Sequence, residues 1–174
     1  MMMFLAFEAM FFAGLLGAFL VFRLASPSWP PPGEPFLPIG VTWINTGILA
    51  ASVYTMRRAH QALREGNQAG LVHGLGLTAS LGAIFLAVQG GEWTRLVHYG
   101  LTLRSGTYGA TFYTLIGCHG AHVFAAVVWL GAILLLARRG RFSSERHAAV
   151  QLCKMYWMFV VGLWLVLFPA VYLM

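Results

Sequence analysis

Five apolar stretches, each long enough to cross a bilayer, constrain this chain before any other feature does. A membrane-spanning helix needs about 20 predominantly apolar residues, and the runs near 2–24, 41–63, 69–91, 109–137 and 150–173 meet that length. Of 174 residues, 59% are hydrophobic and 9% charged, with five acids and no aspartate. An average soluble domain carries roughly 25% charged residues, so this chain cannot coat a soluble globule. In hydrocarbon, each backbone polar group must be bonded within its own segment, which makes the runs helices. The reading is an all-α, polytopic membrane bundle with five transmembrane helices, forming a single domain over 1–174.

The connections separate cleanly. The first, 25–40, holds Pro27, Pro30, Pro31, Pro32, Pro35 and Pro38, whose missing N–H donors exclude a continuing helix. The second, near Arg64–Gln68, is a tight turn with Gly66 and Asn67. The third, roughly Glu92–Tyr108, is amphipathic and fits a segment lying along the interface. The fourth, Arg138–Ala149, is basic and polar. No internal repeat and no soluble module is visible.

Charge sets the orientation. The second and fourth connections, with their flanks, hold Arg57, Arg58, Arg64, Arg138, Arg139, Arg141, Arg146 and Lys154, whereas the first and third hold Arg23, Arg95 and Arg104. The excess of bases predicts the N-terminus inside and the C-terminus outside. Trp29, Trp43 and Trp93 then fall at the outer interface as an aromatic belt. The net charge of +6 lies in short loops between apolar runs, so it reads as topology signal and lipid headgroup contact, not as a nucleic-acid surface. The first run lacks a basic leading region and an A-x-A site, so no cleaved signal peptide is expected.

Glu8 is the chemical anomaly. It stands alone in the apolar run Met1 to Phe22, and Arg23 is the nearest basic residue along the chain. An ionisable group in hydrocarbon is costly and survives through function or a partner. Two readings follow: a proton-exchanging carboxyl, since desolvation favours its neutral form, or a protonated carboxyl bonded to a neighbouring helix and fixing packing.

His119 and His122, spaced i, i+3, share one face of the fourth run. Haem or metal ligation needs further ligands at the same depth. The other histidines (His60, His73, His98, His147) fall at span ends or in loops. A structural polar pair bonding between helices is therefore the preferred reading, with no metal site. Counting residues puts Glu8 about 10 Å from the inner end of its span and the histidines about 15–20 Å down theirs. This arithmetic predicts two separate sites.

The remaining features read as packing or anchoring. Gly14 with Ala18, Gly70 with Gly74, and Gly117 with Ala121 are small-xxx-small pairs that let helices approach. Cys118 and Cys153 read as small core residues. Arg57, Arg58, His60 and Arg64 close the second span; they serve as an inside anchor, and the sharper reading adds an anionic phospholipid site. With no Asp, no C-x-x-C and no strand-borne phosphate loop, the chain has no self-sufficient active site.

Taken in order, these segments resemble subunit III of the haem–copper oxygen reductases. Glu8-Ala9-Met10-Phe11-Phe12-Ala13-Gly14 is similar to an E-x-M-F-F-x-G helix, and Trp29-Pro30-Pro31-Pro32-Gly33 followed by Asn45-Thr46 to a W-P-P-x-G loop and N-T helix start. Ala59-His60-Gln61-Ala62-Leu63 with Gly66 resembles A-H-x-x-L…G, and Gln89 with Glu92-Trp93 resembles Q-x-x-E-Y. The most specific stretch is Tyr108-Gly109-Ala110-Thr111-Phe112…Gly117-Cys118-His119-Gly120-Ala121-His122-Val123, similar to Y-G-S-T-F…G-F-H-G-x-H-V. Tyr156-Trp157 and Trp164 match the last helix.

The resemblance covers essentially the whole chain and implies an auxiliary subunit with no cofactor of its own. Haem and copper are then expected in partner subunits, and bound phospholipid here. The implied partners are oxidase subunit I, with subunit II and small subunits as further candidates, in a prokaryotic plasma membrane. It also implies that Glu8 matches a buried glutamate tied to sustained proton uptake by subunit I, and that His119 and His122 are structural. Where the family commonly reads Y-W-H-F-V-D, this chain has Tyr156-Trp157-Met158-Phe159-Val160-Val161, which removes two polar groups. The chain matches a five-helix form without the two helices that precede the Glu-bearing one in longer members. The competing functions are an accessory subunit of a nitric oxide reductase, an autonomous membrane haem protein or small transporter, and a purely structural helix bundle.

Overall fold

The computed structural model describes residues 1–33, 35, 37–143 and 147–173. Its described residues form α1 (Met2–Ala25), α2 (Ile39–Arg64), α3 (Gln68–His98), α4 (Thr107–Arg138) and α5 (Ala148–Phe168), with α5 running into a π-helical turn, Pro169–Leu173. No strand occurs among them, and all five helices are long and apolar enough to cross a membrane. Arg146, counted in the basic fourth connection, lies outside the described residues.

Three helices stop in the same way. At the ends of α2, α3 and α4 the chain turns through Gly66 (φ 73°), Gly100 (φ 95°) and Gly140 (φ 66°), a left-handed conformation that glycine adopts without a Cβ penalty. Around each, two backbone bonds close on the last turn: Asn67 N–H to Ala62 O with Gly66 N–H to Leu63 O, Leu101 to Leu96 with Gly100 to Val97, and Arg141 to Leu136 with Gly140 to Ala137. This is the Schellman motif, which satisfies carbonyls left over at a helix end. Asn67 then starts α3, its side chain accepting from Gly70 N–H at 2.9 Å.

The third connection is shorter than the sequence implies. Residues from Glu92 to His98, read as an interfacial segment, are the last two turns of α3. No helix breaker separates Glu92 from Gly100, and Leu96 packs into the core. Arg95 Nη1 donates to Glu92 Oε1 at 2.8 Å across one turn.

Helices α2 to α5 close a ring through α2–α3, α3–α4, α4–α5 and α2–α5 contacts, and α1 lies outside it, against α4 and the edge of α5. The α2–α3 seam is the closest. A Cβ at Gly74 would stand 2.9 Å from the Ala59 Cα, so only glycine allows that approach. Polar bonds cross the ring's interior: Thr55 and Thr78 hydroxyls at 2.7 Å, Asn45 Nδ2 to the Phe85 carbonyl at 3.1 Å, Trp157 Nε1 to Ser52 Oγ at 3.0 Å and Trp164 Nε1 to Thr46 Oγ1 at 2.9 Å. Of the expected small-residue pairs, Gly70 and Gly74 sit where helices meet. A Cβ at Gly14 or Gly117 would meet nothing within 4 Å.

Candidate functional site

Helix α1 buries only Phe12 and Phe19 completely. Between them and the first turn it carries Glu8 to the α1–α4 seam. There His122 Nε2 lies 2.8 Å from Glu8 Oε2. The imidazole is held on three sides. Phe12 meets its ring edge-on at 5.1 Å, Phe11 lies 6.5 Å away, and Nδ1 lies 2.6 Å from the Cys118 carbonyl oxygen one turn back.

A carbonyl oxygen can only accept, so Nδ1 carries hydrogen. Towards Glu8 the ring is at ion-pair distance without hydrogen-bond alignment, since Oε2 has no hydrogen-bond partner among the described residues. Setting a carboxyl beside an imidazole gives each ionisable group a partner in hydrocarbon. The two side chains retain 23% and 18% of their exposure, so the pair lies at the rim of the bundle and not in its core.

The expectation of two separate sites is overturned by this contact. The residue count assumed that α1 starts flush with the helix ends. Instead its first turn lies beside α5, Phe4 packing 6.1 Å from Tyr156, two turns or roughly 11 Å along that helix. Glu8 is thereby carried to the level of His122, midway along α4.

The two histidines part company. His122 faces Glu8, whereas His119 turns inward, 1% exposed, stacked on Trp164 at 5.1 Å and edge-on to Phe12 at 6.4 Å. Neither of its ring nitrogens has a hydrogen-bond partner among the described residues. The basic set also divides. Arg57, His60 and Arg64 follow i, i+3, i+7 spacing along one face of α2. Arg58 lies over the Tyr54 ring at 5.4 Å and lines a groove of about 320 Å³ between α2 and α3, with Glu65 and His73 on its other walls.

Sequence reasoning missed a second polar group in the ring. Gln89 Nε2 donates to the Tyr172 hydroxyl at 2.9 Å, a buried bond from α3 to the π-helical turn. One turn on, Glu92 is 8% exposed and holds Arg95. The spacing of Gln89 and Glu92 was visible, but its partner Tyr172, at the far end of the chain, carried no local signal. Val161, standing where a carboxylate was expected from the resemblance, is 1% exposed and extends the apolar core. No group of three or more His, Cys, Asp or Glu able to hold a metal occurs among the described residues.

The sequence profile described as cytochrome c oxidase subunit III matches residues 1–174. A cytochrome c oxidase subunit 3 from a Synechocystis strain is 36% identical over 173 residues, covering 99% of this chain and 73% of that protein. The horse (Equus caballus) protein of the same name is 35% identical over 178 residues, covering 99% of this chain and 67% of its own length. The Thermostichus vulcanus protein, also named cytochrome c oxidase subunit 3, is 32% identical, with 100% and 85% covered. Ordered motifs in all five helices, a full-length profile match and these relatives agree: the chain belongs to the cytochrome c oxidase subunit III family.

Proposed function

We propose that this chain is the auxiliary, cofactor-free subunit of a haem–copper terminal oxidase. It packs against the catalytic subunit I, with subunit II and smaller subunits nearby, and leaves haem, copper and oxygen chemistry to those partners. In a prokaryotic plasma membrane its N-terminus faces inward, as the distribution of Arg and Lys favours. Phospholipid headgroups contact Arg57, Arg58, His60 and Arg64, where guanidinium and imidazole groups suit phosphate.

The observation that supports a proton-linked role is the Glu8–His122 pair. A carboxyl and an imidazole whose Oε2 and Nε2 lie 2.8 Å apart need little rearrangement to pass a proton between them, which a packing contact does not require. The role proposed for the pair is to sustain proton uptake by subunit I through repeated turnovers.

Glu8→Gln tests this directly. The carboxamide keeps the side-chain shape and its N–H can still donate to His122 Nε2, yet it has no proton to exchange. The expected result is an assembled oxidase with normal initial turnover that loses activity several-fold faster during continuous turnover. An unchanged lifetime would leave Glu8 as a packing residue.

A further inference from the structure

The groove between α2 and α3, with a volume of about 320 Å³, is lined by charge of both signs. We propose that it binds an aminophospholipid of the phosphatidylethanolamine class, with Arg58 and His73 on the phosphate and Glu65 on the ammonium group. This site rests on the phospholipid contact proposed above for the basic end of α2, and Glu65 narrows the headgroup it takes. Basic residues alone would favour an anionic lipid.

The groove is ordered along its length. Helices α2 and α3 run antiparallel, and close contacts fix their levels: Gly70 against Ala62, Gly74 against Ala59, and the Thr78 hydroxyl against Thr55. Glu65, the C-cap of α2, and Asn67, which starts α3, stand at the end nearest the turn. Arg58 and His73 come two turns in, about 10 Å along the axis from Glu65. Tyr54 and Leu77, 62% and 42% exposed, follow one turn deeper. A phospholipid whose tails lie along the helices presents the same succession: ammonium outermost, phosphate beneath it, then hydrocarbon.

Neither charge is spent within the protein. Arg58 and Glu65 form no ion pair among the described residues, because two turns of helix keep them apart. The Arg58 guanidinium lies over the Tyr54 ring at 5.4 Å. That contact restrains a long side chain beside the groove, and guanidinium is the group best suited to bidentate contact with phosphate. Glu65 Oε1 accepts from Gln61 Nε2 at 2.9 Å, which steadies the carboxylate and leaves Oε2 for a second donor. An ionised carboxylate accepts only, so it suits the N–H groups of an ethanolamine head. A choline head has no N–H to give, and a glycerol head brings no positive charge to balance Glu65.

Lipid exchange on the assembled complex tests this. The complex is equilibrated with vesicles of equal phosphatidylethanolamine and phosphatidylglycerol content, re-extracted in mild detergent, and its retained lipids are counted by mass spectrometry. The wild type is expected to keep a phosphatidylethanolamine that Arg58→Gln loses. Glu65→Gln preserves the acceptor for Gln61 but removes the charge. It should retain a lipid at the site and lose the preference, so that phosphatidylglycerol occupies it at least as often. Both side chains are exposed, so assembly should survive either change. Identical lipid retention by wild type and Arg58→Gln would overturn the phospholipid contact at Arg58 and this site with it. Loss of phosphatidylglycerol in place of phosphatidylethanolamine, or a preference that persists in Glu65→Gln, would overturn the aminophospholipid assignment alone.

Discussion

The α2–α3 seam and the α1–α4 seam solve the problem of holding helices together in lipid by different means. Hydrocarbon offers little hydrophobic drive between helices, so close packing and polar bonds must do it. The α2–α3 seam uses both: glycines at 70 and 74 against alanines at 62 and 59, and the Thr55–Thr78 and Asn45–Phe85 bonds. The α1–α4 seam has aromatic contact from Phe12 and Phe19 and one carboxyl–imidazole contact. The first seam is built to be permanent. The second rests on fewer contacts and on a pair of ionisable groups.

Substitution should expose that contrast, most strongly at Gly74. Gly74→Leu drives a branched side chain into the Ala59 backbone, and overpacking of this kind costs about 1–3 kcal/mol or more. The expected outcome is failure to recover the chain with its complex, read by mild-detergent purification. Recovery at wild-type level would mean that the seam is looser than described. Glu8→Leu strands His122 Nε2 at a half-closed site, at a cost of about 1–3 kcal/mol. A lowered denaturation midpoint in detergent is expected, and Glu8→Gln should recover most of it. Trp157→Phe removes the indole donor to Ser52 and part of a fully buried ring, and should lower the unfolding free energy by about 0.5–1.5 kcal/mol for the bond plus a cavity cost, without affecting the lifetime of turnover. Met10→Ala, on the exposed face of α1 at 71%, should change stability by less than about 0.5 kcal/mol. A larger loss would show that this face is covered in the complex.

The five spans were legible because length and apolar composition suffice to define them, and charge separated their connections. The turn at Gly66 and Asn67 was legible from its residues, whereas the like ends at Gly100 and Gly140 were not singled out from the sequence. The α3 extension was misjudged for a physical reason. Glu92, Thr94 and Arg95 look interfacial by polarity, yet Glu92 and Arg95 satisfy each other within the helix. The site was only half legible. Glu8 announced itself as a lone charge in an apolar run, and the His119/His122 spacing announced a shared face. Their contact did not follow, because the relative depth of two helices is set by tertiary packing of Phe4, Phe12 and Phe19 and not by counting residues. Gln89 and Tyr172 stand far apart in sequence, and nothing local could have joined them.

Placing a carboxyl 2.8 Å from an imidazole ties the mooring of an outlying helix to electrostatics. Whatever alters the charge on either member must alter how firmly α1 is held. By reciprocity, docking a neighbour against α1 must bias that charge by the same free energy.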